Sequence, residues 1–238
     1  MTMRAEDVEQ QLYSIADPNT AEHSQRFFKT GKNEYGEGDR FLGIRVPDQR
    51  KIARQFKNLS LTEAEKLLNS GFHEVRLTSL LILAIRFEKS DDAMRKRIYD
   101  LVMLHIERIN NWDLIDLAAP KIIGAYLYHS SRSVLYELAG SSDFFKRRIA
   151  IMATFYFIRQ GDFRDTLAIA ETLVEDEHDL VQKAVGWMLR EIGKREQPVL
   201  EEFLREYHHR MPRTMLRYAI EKMPEAQRVA YLRGIAQT

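Results

Sequence analysis

Asp179-Leu180-Val181-Gln182-Lys183-Ala184-Val185 falls on Thr214-Met215-Leu216-Arg217-Tyr218-Ala219-Ile220 when the chain is slid along itself by 35 residues, and the apolar positions coincide. Phe145-Lys146-Arg147-Arg148-Ile149-Ala150 falls on Leu180 to Val185 at the same offset. Arg76 lies 72 residues before Arg148, and Trp112 stands midway between them. A period of this length marks stacked helix pairs, each of which buries its apolar face against its neighbours. We read the aligned segments as the openings of the second helix in successive pairs. The residues between them keep helical spacing: Val75, Leu77, Leu80, Leu81 and Ile85 recur along one stripe, as do Leu180, Val181, Ala184, Val185, Met188 and Leu189. No two alternating runs are joined by a hairpin turn, so no sheet is expected. The predicted fold is all-α: a curved solenoid of antiparallel helix pairs with one concave face.

Outward from the repeat, the N-terminal part differs. Two helices are expected before residue 30, followed by the glycine-rich loop Thr30-Gly31-Lys32-Asn33-Glu34-Tyr35-Gly36-Glu37-Gly38-Asp39-Arg40. Pro47 then opens a helix, because its fixed φ and missing N–H suit a first turn. The expected organisation is a single domain over residues 1–238, with N-terminal helices and loop in 1–58 and helix pairs in 59–238. Taken alone the loop reads as a flexible connector. Gly31-Lys32 has neither the earlier glycine nor the following hydroxyl of a phosphate-cradling loop.

The composition bounds the function. Hydrophobic residues make up 45% of the 238, enough to bury a core, while 36 basic residues against 35 acidic leave a net charge of +1. A nucleic-acid binder of this charge must gather its cations on one surface. With no cysteine there is no disulfide, thiolate nucleophile or cysteine-based zinc site. The opening MTMRAEDVEQ lacks the apolar run of a signal peptide, and runs such as Leu80 to Ile85 are too short to span a bilayer. The expected setting is cytoplasmic, with no membrane partner. The seven histidines form no i, i+4 metal pair and read as surface or capping residues. No Gly-x-Ser-x-Gly elbow occurs.

Three segments can carry chemistry. In Asn110-Asn111-Trp112-Asp113-Leu114-Ile115-Asp116, Trp112 and Asp116 are i and i+4 and share a helix face, while Leu114, Ile115 and Leu117-Ala118 suffice for the core. Asn111 can cap this helix. Pro120 removes the N–H that the Asp116 carbonyl would accept, so a local break is expected there. The same residues also suit a half-buried tryptophan beside a solvated carboxylate. Lys146-Arg147-Arg148 stands near the start of a helix, where cations reinforce the pull of the helix dipole on a phosphate; its alternative is a solvated charge run. In Lys183-Ala184-Val185-Gly186-Trp187-Met188-Leu189-Arg190, Gly186 costs a helix about 1 kcal/mol relative to alanine, which points to close packing at that position. Matched repeat positions line one surface, so Trp112, Asp116, Arg148 and Trp187 are expected to converge.

At these residues the chain resembles the AlkD family of HEAT-like-repeat alkylpurine DNA glycosylases. The resemblance rests on Trp112-Asp113-Leu114-Ile115-Asp116, on Gln182 to Glu191 with its Gly-Trp-x-Leu-Arg-Glu core, on Arg148-Ile149-Ala150-Ile151, and on Phe41-Leu42-Gly43-Ile44-Arg45-Val46-Pro47. It runs over nearly the whole chain. It implies hydrolysis of the N-glycosidic bond of N3- and N7-alkylated purines in double-stranded DNA, within base excision repair and without flipping the base into a pocket. The chain departs from the family in its Gly31–Asp39 loop and in Phe27, which replaces an expected tyrosine.

An alkylated purine is a cationic leaving group, and its departure builds positive charge on the sugar. A carboxylate placed there stabilises that charge. Asp116 takes this role in the expected mechanism, Trp112 and Trp187 offer π faces to the cationic lesion, and Arg148 holds a backbone phosphate. Arg45, Arg147, Lys183 and Arg190 are further phosphate candidates. The expected enzyme works as a monomer, without metal or cofactor. Two alternatives stay open: a non-catalytic protein of this architecture that binds branched or distorted DNA, and a protein–protein scaffold. Affinity that falls steeply with salt would mark the first of these.

Overall fold

Helices make up the regular structure of residues 3–234, which the computed structural model describes. Among these residues there is no strand; an isolated parallel bridge pairs Arg40 with Phe72. Two compact units divide between Ala118 and Ala119.

The first unit comprises α1 (Ala5–Ser14), α2 (Pro18–Phe27), α3 (Val46–Gln55), α4 (Leu61–Leu68), α5 (His73–Glu88), α6 (Asp92–Leu104) and α7 (Trp112–Ala118). The two early helices and the helix at Pro47 stand where the sequence predicted them. Their starts follow local chemistry. Asp17 accepts from the N–H groups of Asn19 and Thr20, and Ser60 and Asp91 cap α4 and α6 in the same way. Helix α5 packs against α3, α4, α6 and α7 and is buried continuously from His73 to Ala84. A helix covered on all sides is the core of its unit.

That burial includes Glu74, whose carboxylate accepts the backbone N–H groups of Leu42 (2.9 Å), Gly43 (2.8 Å) and Ile44 (3.2 Å). The chain can present three successive donors because Gly43 has φ +80°, and a Cβ there would strike the Asp17 carbonyl. The glycine-rich loop just before this segment, which its sequence alone reads as a flexible connector, is bonded within itself and to the end of α2. The N–H of Gly36 bonds the carbonyl of Lys29 at 2.9 Å, and the side chain of Asp39 is buried at the loop's end.

The second unit opens with a π-helical segment, Ala119–Gly124, followed by α8 (Ala125–Leu127), α9 (Ser133–Ala139), α10 (Phe144–Ala153), α11 (Phe155–Arg159), α12 (Arg164–Thr172), α13 (Asp179–Gly193), α14 (Gln197–Tyr207), α15 (Arg213–Ala219) and α16 (Glu225–Arg233). The break expected at Pro120 takes the form of this π segment. The segments aligned at the 35-residue offset open α10, α13 and α15. Within the unit α10 packs on α13, and α13 packs on α15, so second helices stack on second helices. Two glycines permit close crossings. A Cβ at Gly124 would strike the Ala153 carbonyl of α10, and one at Gly186 would strike the Met215 carbonyl of α15. The close approach expected at Gly186 is thus between α13 and α15.

Candidate nucleic-acid interface

Asn111 immediately precedes helix α7; its carbonyl accepts the N–H of Ile115 and its Oδ1 that of Trp112 at 2.8 Å. Leu114, Ile115 and Ala118 turn into the core, while Trp112 and Asp116 are half-buried on the other side of the helix. The expected division of the helix into two faces is observed for these residues, while Leu117, expected in the core, is half-buried.

Trp112 stands on a column of rings. Its indole stacks on Phe28 (centroids 5.3 Å, 22°), Phe28 stacks on Phe41 (5.0 Å, 16°), and Phe41 stacks on the imidazole of His73 (4.5 Å, 21°). Phe27, 57% exposed, meets the indole edge-on at 5.8 Å. Offset and edge-to-face ring pairs are worth about 0.5–1.5 kcal/mol each beyond their buried area. The tryptophan is therefore held from below and from one side.

At the base of the column His73 is fully buried, contrary to the expectation of a surface or capping histidine. Its Nδ1 lies 2.9 Å from Asp39 and its Nε2 2.8 Å from Asp113. Burial pushes the ring towards its neutral form, but Asp113 and Asp39 outweigh this and raise its pKa to about 9. Burial likewise pushes Asp39 up, while His73 and Arg76 more than offset it and hold the carboxyl below its usual range. Arg76 Nη2 donates to both oxygens of Asp39 and to Oδ1 of Asn110. The two carboxylates of Trp112-Asp113-Leu114-Ile115-Asp116 thus have separate tasks. Asp113 is committed to His73 and to the N–H of Leu114, and Asp116 shares the face of Trp112.

The basic candidates divide sharply. Arg45 precedes α3 and is exposed. The others are bonded within the protein. Arg147 donates to Asp176 (2.6 Å) and to the carbonyls of Ser141 and Ser142. Lys183 pairs with Asp179 at 2.6 Å, and Arg190 pairs with Glu221. Arg148 is 4% exposed and donates to the carbonyl of Leu180, in the first turn of α13. In this arrangement the guanidinium braces α10 against α13. Arg76, its partner in the repeat, does the same in the first unit by reaching Asn110 ahead of α7. An arginine at this repeat position ties one second helix to the start of the next, which gives the 72-residue match a structural cause.

Trp187 is half-buried on α13, with its Nε1 donating to Glu191 at 3.3 Å and its ring tilted against Phe155. Glu191 is also bonded by Lys194 and Arg195. Sequence reasoning missed the set beneath Trp112: Asp39, His73, Asp113, Phe28 and Phe41. One signal was present, since His73 and Arg76 are i, i+3 on one helix face and project together.

Comparison with known proteins bears on what such a surface serves. The family model described as DNA alkylation repair enzyme matches residues 8–223. A solved structure described as a predicted DNA alkylation repair enzyme from Enterococcus faecalis superposes with a TM-score of 0.69 at 17% identity, covering 88% of this chain and 97% of that one. AlkD2 from Streptococcus mutans superposes with a TM-score of 0.54 at 15% identity, covering 92% and 99%. At these identities the structural likeness is one of fold. No curated protein matches the chain. The family match takes in the ring column, both tryptophans and all the basic candidates, and on its breadth the chain belongs to the DNA alkylation repair enzyme family.

Proposed function

We propose that the protein is a DNA glycosylase that hydrolyses the N-glycosidic bond of N3- and N7-alkylated purines in duplex DNA, of the 3-methyladenine and 7-methylguanine type, without drawing the base into a pocket. The observation that carries the proposal is the face of α7. A tryptophan braced by rings stands one turn before a half-buried carboxylate that is not the one spent on His73.

Asp116 stabilises the positive charge that grows on the sugar as the cationic purine departs, and it orients the attacking water. A charge pair at about 4 Å with an effective dielectric near 20 is worth about 4 kcal/mol. Gained only in the transition state, that amounts to about a thousandfold in rate. Trp112 offers its π face to the cation, and its bracing keeps the face in place before DNA arrives. Trp187 is the DNA-facing π surface of the second unit. Arg45 is assigned the first phosphate contact because it is exposed. Arg147, Lys183 and Arg190 contact phosphate by exchanging a carboxylate for it, and Arg148 by releasing the Leu180 carbonyl. We place the enzyme in the cytoplasm, acting as a monomer without a cofactor.

The test is release of 7-methylguanine from duplex DNA by the native protein and by Asp116→Asn. The variant should lose about a thousandfold in single-turnover rate while binding the duplex as before. Equal rates would remove Asp116 from the chemistry. DNA binding with no release by either protein would favour the reading as a binder of distorted DNA.

A further inference from the structure

The buried group beneath Trp112 has a use beyond stability. We infer that His73 is a positioning residue: clamped between Asp39 of the loop and Asp113 of α7, it sets the height and tilt of the Trp112 indole. The inference rests on the reading of Trp112 as a DNA-facing surface, but it is tested separately from it.

The contacts form a closed circuit. Trp112 leads through Phe28 and Phe41 to the face of His73, and the edge of His73 returns through Asp113 to the residue next to Trp112. Both ring nitrogens face carboxylates, at 2.9 and 2.8 Å, so the protonated ring donates in both directions. The other oxygen of Asp113 accepts the N–H of Leu114 at 2.9 Å. Holding Asp113 therefore holds the first turn of α7, where Trp112 is the first residue. A neutral ring keeps one donor and turns a lone pair towards the second carboxylate. One of the two ties then opens, and with it either the loop end or the α7 turn.

The groups that face His73 are few. Asp39 comes from the loop and Asp113 from α7, and Arg76 on its own helix α5 acts through Asp39. Arg108 adds its field to Asp39 and Arg76. Phe28 and Phe41 contribute ring faces. The ring's pKa of about 9 places the loss of its proton in an accessible range.

The protein has two tryptophans, so Trp187→Phe leaves Trp112 as the sole indole reporter. Its emission maximum and acrylamide quenching should be followed from about pH 6 to about pH 10, and the contribution of tyrosine ionisation at the upper end, common to all the variants, is taken from the His73→Gln titration and subtracted. The expected result is a red shift and a rise in quenching with a midpoint near the pKa of His73, while far-ultraviolet circular dichroism stays constant. Adding His73→Gln, which cannot titrate, should remove the transition and leave Trp112 in its high-pH state throughout. A histidine that only stabilised the fold would alter the melting temperature and leave Trp112 emission unmoved below it. A flat response in Trp187→Phe, or the same transition with His73→Gln, overturns the inference. If the double variant fails to fold, the titration of Trp187→Phe alone decides. A transition without any 7-methylguanine release by the native enzyme supports the positioning role and sinks the glycosylase reading. Release with a flat Trp112 does the reverse.

Discussion

Replacing Gly186 by alanine tests the packing that stations Trp187. Alanine is the better helix former, and in an open helix interior the change would stabilise by about 1 kcal/mol. Here the new Cβ would lie 2.5 Å from the Cβ of Tyr218, closer still to the carbonyl of Met215, and 3.2 Å from the nitrogen of Ala219. Carbon atoms rest at about 3.5–4.0 Å from one another. Two of the three obstacles are backbone atoms and the third is attached to it, so no rotamer change relieves them. Helix α15 must move away by about 1 Å to restore that separation. Overpacking of this kind costs about 1–3 kcal/mol, occasionally more, and towards the upper end it exceeds the gain in propensity. The expected net loss is about 1–2 kcal/mol, or a melting temperature lower by about 2–8 °C for a chain of this size. Gly140→Ala is the control. It ends α9 at negative φ, and a Cβ there meets nothing closer than 3.7 Å, so that variant should melt at or slightly above the native temperature. Calorimetric melting of the three proteins side by side decides. A Gly186→Ala protein that matches Gly140→Ala or exceeds the native protein would refute the argument that this glycine exists for helix approach.

Further expectations concern the first unit. The pKa of His73 is raised in the fold, so its stabilisation is complete below the unfolded value of 6.5 and is lost as the pH climbs to about 9. The full swing is about 3 kcal/mol, and urea denaturation showing constant or rising stability over that interval would contradict it. For Asp39, whose pKa is lowered, the sign is opposite: its contribution is present above the ordinary carboxylate range and disappears as the pH falls through its folded value. Glu74→Gln retains the shape of the side chain but turns an NH2 group towards one of the three backbone donors now at 2.8–3.2 Å. It should cost about 1.5–3 kcal/mol and expose the Leu42–Ile44 segment to proteolysis, and an unchanged digestion pattern would count against the pinning described for Glu74.

The helical repeat was legible in the sequence because it is written in apolar residues at short spacing. A stripe such as Leu180, Val181, Ala184, Val185, Met188 and Leu189 has one way to be buried. Trp112 and Asp116 were legible for the same reason, since one helix fixes their relation. The set around His73 was not. Its members are scattered from Phe28 to Asp113 and meet only through tertiary contact, and a lone histidine has no period to betray it. The basic residues illustrate a second limit. Lys146-Arg147-Arg148 reads as a phosphate site by local charge, yet Asp176 and the Leu180 carbonyl, some 30 residues downstream, take up Arg147 and Arg148. Local sequence shows where a cation is, while its availability depends on partners that arrive from the next repeat.

The cluster under Trp112 holds two acids, Asp39 and Asp113, and two bases, His73 and Arg76, so at neutral pH it sums to zero charge. Mobile ions do not enter a buried group, and one without net charge has little field to attract them. The footing of the tryptophan is thus far less sensitive to ionic strength than contacts between exposed cations and phosphate. Added salt can then strip the protein from DNA while leaving the Trp112 platform largely intact, so a salt titration of binding reads chiefly the phosphate contacts.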